Sequence, residues 1–259
     1  MRPKGCSPQS DAAIQFRPQN EQESLMPANV IVSYDGTANE DDAIALGRIF
    51  ARAGAEVALA YVRHTHEPDR DRETLAQHEA QGLLERGSAL FGEGGEALGR
   101  HVVTDRSTPE GLRALAKQEG SDVIVFCSDS HTAKGHIAVG NSAQRLLEGG
   151  STAIAIAPAG LAARGRDARP QQIVAVGDAD GGARATAEAL AEALGAQLAP
   201  VVNDRTDLLV IDSRPEAGHG SIALSSSAAH LIEIATASVL VVPRGVTLPF
   251  GRAAVTVGA

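Results

Sequence analysis

Two stretches decide how this chain reads. "KGHIAVGNSAQRLLEGGSTAIAIAP" occupies residues 134–158, and "GSIALSSSAAHLIEIATASVLVVP" occupies residues 220–243. Each runs from small residues through an amphipathic helix into an apolar strand closed by proline. Pro243 follows Pro158 by 85 residues, and the same offset aligns more than the prolines. It matches Asp122 with Asp207, Val125 with Val210, Ser128 with Ser213, Gly135 with Gly220, Ile137 with Ile222, Ala143 with Ala228 and Leu146 with Leu231. A gapless match across strand, loop, helix and strand reads as an internal duplication.

Working outward, residues 30–34 form an apolar run that enters the turn "DGT". Residues 42–53 have helical periodicity, with Ala43, Leu46, Ile49 and Phe50 on one face and Gly54 as the stop. A buried strand is expected at 57–62, a long helix at 73–91 and a short strand at Val102 and Val103. "STPEGLRALAKQEG" is a helix with a Ser/Thr cap, Pro109 in its first turn and Gly120 at its end. Strands at 123–126 and 153–157 flank a helix at 142–148. Nearly continuous apolar strands alternating with helices predict a parallel sheet covered on both faces. Such sheets bind ligands beyond the carboxyl ends of their strands, where the winding reverses.

A polar linker, "GLAARGRDARPQQ", ends the first unit, and "IVAVGDADGG" restarts the pattern at Ile173. A helix at 183–194 and the strand "DLLVID" follow. The second unit has no counterpart of the long helix, third strand or third helix. Its second strand is expected to be curtailed or paired differently, because Pro200 disfavours a central strand and few residues separate Val202 from Leu208.

Composition narrows the function. The chain has 259 residues, 43% hydrophobic but only 3% aromatic, so its core must be built from Val, Ile, Leu and Ala. A net charge of −9 argues against nucleic-acid binding, which needs clustered Lys and Arg. No stretch reaches the ~20 apolar residues of a membrane span. Cys6 and Cys127 have no zinc spacing, and their scarcity fits a reducing cytoplasm. The polar residues 1–27 lack a signal-peptide core and read as a disordered tail; residues 246–259 read as a second tail.

"VIVSYDGTANEDDAIALGRIFARAGAEVALAYV", "STPEGLRALAKQEGSDVIVF" and "GNSAQRLLEGGSTAIAIAP" resemble, in order and spacing, segments of universal stress proteins. The resemblance covers residues 28–160 well and 172–245 weakly, with 161–171 as linker. It implies a tandem protein with a truncated, degenerate second repeat. It further implies an α/β fold, a Rossmann-like three-layer sandwich of the adenine-nucleotide alpha-hydrolase type. Because members pair through their last strands, residues 153–157 and 239–242 are expected to pair within one chain as a pseudo-dimer.

ATP-binding members of that family look like Gly-x2-Gly-x9-Gly-Ser/Thr after the fourth strand. On that pattern Cys127 and Ser130 stand at the first two glycines, Gly140 at the third, and Asn141 at the Ser/Thr, followed by Ser142. Asp35 matches the acidic residue that faces the nucleoside, and the backbone near Val62 completes the implied site. The second copy offers Asp212, Pro215, Ser225 and Ser226, with no motif glycine.

Each candidate has a plainer reading. Gly140, Asn141 and Ser142 could cradle an anion at a helix start or merely cap the helix. Asp35 could bond a ribose hydroxyl or its own turn backbone. Ser130 adds a Cβ that crowds a triphosphate, and Cys127 reads as a structural thiol. His131, Lys134 and His136 read as a solvated loop. His64 and His66 lack further ligands, so no metal is assigned. "DGTANEDD" reads as carboxylates favouring a helix dipole, and no nucleophile–base constellation stands out.

The sequence therefore supports a non-enzymatic, cytoplasmic universal stress protein of the stress response. An adenine nucleotide, ATP by the degenerate motif, is the expected ligand of the first unit. A protein partner of unknown identity and a homodimer remain open. The alternatives are an ATP-dependent regulatory switch and, ranked last, a nucleotidyl transferase or nucleotide hydrolase of the same superfamily.

Overall fold

The computed structural model describes residues 26–64, 68–178 and 181–251. The expectations for residues 1–25, for His66 and for residues 252–259 lie outside them.

The first half comprises β1 (Asn29–Ser33), α1 (Glu40–Arg52), β2 (Glu56–Arg63), α2 (Arg70–Phe91), β3 (Gly99–Thr104), α3 (Thr108–Glu119), β4 (Val123–Cys127), α4 (Asn141–Leu147) and β5 (Ala153–Ala157). The second comprises β6 (Gln172–Val176), α5 (Gly182–Leu194), β7 (Gln197–Ala199), β8 (Leu208–Asp212), α6 (Ser226–Ile234) and β9 (Ser238–Val242). All nine strands join one sheet in the order β3-β2-β1-β4-β5-β9-β8-β6-β7. Pairing is parallel everywhere except between β5 and β9, which run antiparallel.

At that seam Ile154 faces Val241, Ala155 faces Leu240 and Ile156 faces Val239. Every residue of β5 and β9 is buried. The strands are apolar on both faces because helices cover the sheet on both sides. One core gathers α1, α2 and α5 over one face; the other gathers α3, α4 and α6 over the opposite face. These are the three layers expected from the sequence.

The offset of 85 reappears as hydrogen bonds. Asp129 N donates to Ala138 O, and Arg214 N to Ala223 O. Gly135 N donates to Ala159 O, and Gly220 N to Arg244 O. The buried Ser128 hydroxyl donates to Ala157 O at 2.8 Å, and the Ser213 hydroxyl to Val242 O at 2.8 Å. Gly135 and Gly220 both take positive φ, 83° and 73°. The loops after β4 and β8 therefore share one backbone trace.

The short second unit is accommodated by shortening its strand. β7 has three residues and ends before Pro200. The connection 200–207 then passes β6 to reach β8. Roughly 25 Å of extended chain is available there, enough to run back along so short a strand and cross two strand spacings. A full-length strand would have needed the longer crossover.

The stretch 246–251, expected to be tail, is packed. Leu248 and Phe250 are buried, and Phe250 stacks on Phe50 at 5.2 Å between ring centroids. Leu248 N donates to the buried Thr186 hydroxyl, which fixes the strap against α5. Two aromatic and aliphatic residues spaced by one, after a glycine, were the signal of this anchor.

Candidate functional site

The carboxyl edge of β1, β2 and β4 carries three of the seven expected residues, Asp35, Val62 and Cys127. Asp35 and Val62 line one pocket of about 240 Å³, with Tyr34, Tyr61, His64 and Thr108 around them. Asp35 follows β1 directly. Its Oδ1 accepts from Thr37 N at 2.9 Å, so the local turn is closed by its own carboxylate.

The organiser beneath Asp35 is Glu40. It is 5% exposed, and its carboxyl accepts from the backbone N–H of Asp35 and, at 2.5 Å, from that of Gly36. Burial, then the Asp35 carboxylate, raises its pKa to about 8. At pH 7 this favours the protonated Glu40 carboxyl behind the Asp35 turn. Asp42, two positions further along the same helix turn, accepts from Gly160 N and Ala162 N, each at 2.7 Å. The acids do stand in the first turn of α1, as read, and two of them, Glu40 and Asp42, serve in addition as internal anchors for backbone amides. Asp42 precedes Leu46 by one helical turn and so shares its inward face, a signal that would have marked it as buried.

Cys127 closes β4 beside this group. Burial first, and then the Glu40 and Asp35 carboxylates, push its thiol up to about 12. The thiol is protonated and unreactive at neutral pH, as a structural cysteine would be.

Ser130, Gly140, Asn141 and Ser142 do not line the Asp35–Val62 pocket. Ser130 is exposed on the loop after β4. Gly140 is the cap residue of α4, and Asn141 and Ser142 open the helix. A Cβ added at Gly140 would meet nothing within 4 Å, so its own chain leaves that position open. The Asn39 side chain ties the two loops by donating to Asp129 O at 2.9 Å. His131, Lys134 and His136 are exposed, matching the solvated-loop reading.

The pocket edge holds one hydroxyl–imidazole contact, Thr108 Oγ1 to His64 Nε2 at 3.2 Å. Among the described residues no carboxylate orients that imidazole, so the third member of a nucleophilic set is missing. Among the same residues no group of three or more His, Cys, Asp or Glu side chains could hold a metal ion.

A larger cleft, about 860 Å³, lies at the corresponding edge of the second half and is lined by three of the residues at its motif positions, Asp212, Pro215 and Ser225. Its polar end is occupied by the chain itself. Asp212, at the position matching Cys127, accepts Ala183 N at 2.9 Å and caps α5. Its Oδ2 has no hydrogen-bond partner and packs where Cβ atoms at Gly177 or Gly181 would otherwise stand. Burial raises the Asp212 pKa, and nearby Asp178 adds to the effect. Two carboxyl groups at this helix start oppose a bound phosphate.

No protein-family model matches the chain, and no curated protein matches it. Solved structures do. A universal stress protein from Archaeoglobus fulgidus superposes with a TM-score of 0.59 at 14% identity, over 84% of this chain and 98% of its own. A protein of unknown function from Pseudomonas aeruginosa PAO1 gives 0.53 at 15%, over 84% and 93%. A candidate universal stress protein from Pseudomonas aeruginosa UCBPP-PA14 gives 0.50 at 16%, over 86% and 95%. These coverages exceed either half alone, so the likeness runs through the seam. At this level of identity it speaks for architecture, and the chain has the universal stress protein fold.

Proposed function

We propose that this chain is a universal stress protein of two duplicated units, acting in a stress response by binding rather than by catalysis. In this reading its first half takes an adenine nucleotide, its second half is the permanent partner of that site, and it works in the cytoplasm. The observation that carries the ligand reading is the convergence of Asp35, in the turn after β1, and Val62, in β2, on one pocket at the carboxyl edge of the sheet. Three further features support it. Glu40 favours its protonated form at pH 7, Gly140 is sterically open, and the first backbone N–H groups of α4 adjoin that glycine. Asp35 and the backbone at Val62 would hold the nucleoside, and Gly140 to Ser142 the phosphate end. The second half suits a scaffold role because Asp212 fills its own helix start.

Titration calorimetry with ATP and ADP tests this. The reading expects saturable binding, weakened at least about tenfold by Asp35→Ala and by Gly140→Glu, with no sustained nucleotide turnover. Binding that both substitutions leave intact would remove the site from these residues. Turnover lost on Asp35→Ala would replace the binding role with an enzymatic one.

A further inference from the structure

The Asp35 pocket is built on a second carboxyl group that lies behind it. Asp35 is exposed in the turn after β1, where its Oδ1 accepts from Thr37 N at 2.9 Å. Glu40 opens α1 and is 5% exposed. Its Oε2 accepts from Asp35 N and, at 2.5 Å, from Gly36 N, so one buried side chain fixes the backbone that presents Asp35 to the pocket. The two side chains also hydrogen-bond each other. Ionised carboxylates only accept, so that bond requires a proton between the pair, and burial assigns the proton to Glu40.

The groups around Glu40 leave it as the member of this cluster that changes charge on the mildly alkaline side. Burial, then the Asp35 carboxylate, puts Glu40 at about 8. Tyr34 ends the run into the turn, and burial, then Asp41 and Glu40, raises its hydroxyl above the ordinary 10.0, while Arg86 from α2 opposes that rise. Burial pushes the Cys127 thiol of β4 up to about 12. On the helix of Glu40 itself, Asp41 is exposed, and Asp42 is engaged by Gly160 N and Ala162 N. His64, after β2, lines the same pocket as Asp35.

We propose that Glu40 is the positioning residue of the Asp35 site and ties ligand binding to a proton: the site takes a nucleoside while one proton joins the two carboxyl groups, and releases it as pH rises. A nucleoside over the pocket removes water from both groups. Two adjacent carboxylates lose more by that than one carboxylate beside one acid. Ligand and proton therefore favour each other, and the coupling is the same in both directions. Phosphates on the ligand act in the same sense, since their charge also disfavours a second carboxylate. Glu40→Gln reproduces the protonated state: its carbonyl can accept the two amides and its NH2 can donate to Asp35. The proton dependence rests on the nucleoside reading of this pocket and deepens it.

The test measures adenosine binding to the full chain by titration calorimetry at about pH 6.5 and about pH 9.5, with circular dichroism showing a folded chain at each. Adenosine carries no phosphate and does not itself titrate in that interval. Wild-type affinity is expected to fall at least about fivefold across it, because each unit by which binding raises the Glu40 pKa allows up to about tenfold. Glu40→Ala is expected to bind at least about tenfold more weakly than wild type at the lower pH. Glu40→Gln recovers most of that loss and binds equally at both pH values. It keeps Tyr34, His64 and Cys127, so it separates their titration from that of Glu40. If Glu40→Ala does not fold, the wild-type and Glu40→Gln profiles decide. Equal wild-type affinity at both pH values, or a fall that Glu40→Gln shares, overturns the proton dependence and leaves the nucleoside site standing. No adenosine binding at either pH removes the nucleoside site, and the proton dependence with it.

Discussion

Ala155 and Leu240 face each other across the antiparallel seam between β5 and β9, both fully buried. The pair makes one sheet of what would otherwise be two edges. Leu240→Ala should cost about 2–5 kcal/mol through lost burial and cavity formation. Leu240→Asp should abolish folding of the whole chain, because it buries a charge without a partner. Urea denaturation monitored from both halves checks this. One shared transition moving to lower urea is expected; a shift confined to the second half would show that the halves are independent.

The same seam predicts the behaviour of the first half alone. Residues 28–160 expose β5, a strand with every residue buried in the full chain. An uncovered apolar edge recruits another strand, so this fragment should dimerise or aggregate in sedimentation experiments. A stable monomer would show that β5 needs no partner.

Glu40 makes stability depend on pH in a definite direction. Its pKa is raised to about 8 in the folded protein from the ordinary 4.5 of a glutamate, so the folded state holds the proton more tightly than the unfolded one. The contribution is complete below about pH 4.5 and is lost as pH rises towards about 8. Glu40→Gln keeps an acceptor for the Asp35 and Gly36 amides but cannot ionise. Thermal unfolding between pH 5 and 8 should show wild-type stability falling relative to Glu40→Gln. Parallel curves would mean that Glu40 ionises normally.

Ser128 and Ser213 should behave alike. Each is buried and donates at 2.8 Å to the last or equivalent carbonyl of the neighbouring strand. Ser→Ala at either position should cost about 1 kcal/mol, since the backbone N–H of the same residue still reaches that carbonyl. Phe250→Ala should cost about 3–5 kcal/mol, because the ring is buried against Phe50. Denaturation midpoints distinguish the two classes, and a neutral Phe250→Ala would return residues 246–251 to the status of tail.

What the sequence discloses depends on where a residue's partners lie. β5 is read at its true bounds because all five of its residues are apolar and it lies within the sheet. β3 is longer than the two valines suggest, since an edge strand with exposed ends carries no apolar run. β7 is expected only as a curtailed strand, and its bounds are not legible because only Ala199 is buried among its three residues. In the site, Asp35 follows from its place after β1. Glu40 does not, because its partners are backbone amides that no side-chain pattern announces. The second-half cleft forms at residues that the 85-residue offset does name, Asp212, Pro215 and Ser225, but that they enclose open space follows only from the three-dimensional structure.

An adenine nucleotide in the first half is the proposal on which the functional reading turns. The most direct measurement denatures freshly purified full-length protein, before and after incubation with millimolar ATP, and identifies released nucleotide by chromatography and mass spectrometry. Adenine nucleotide approaching one equivalent per chain is expected after incubation, and much less from Gly140→Glu. A protein that remains empty after incubation would contradict it, leaving the Asp35–Val62 pocket as part of a scaffold that has kept the fold without the ligand.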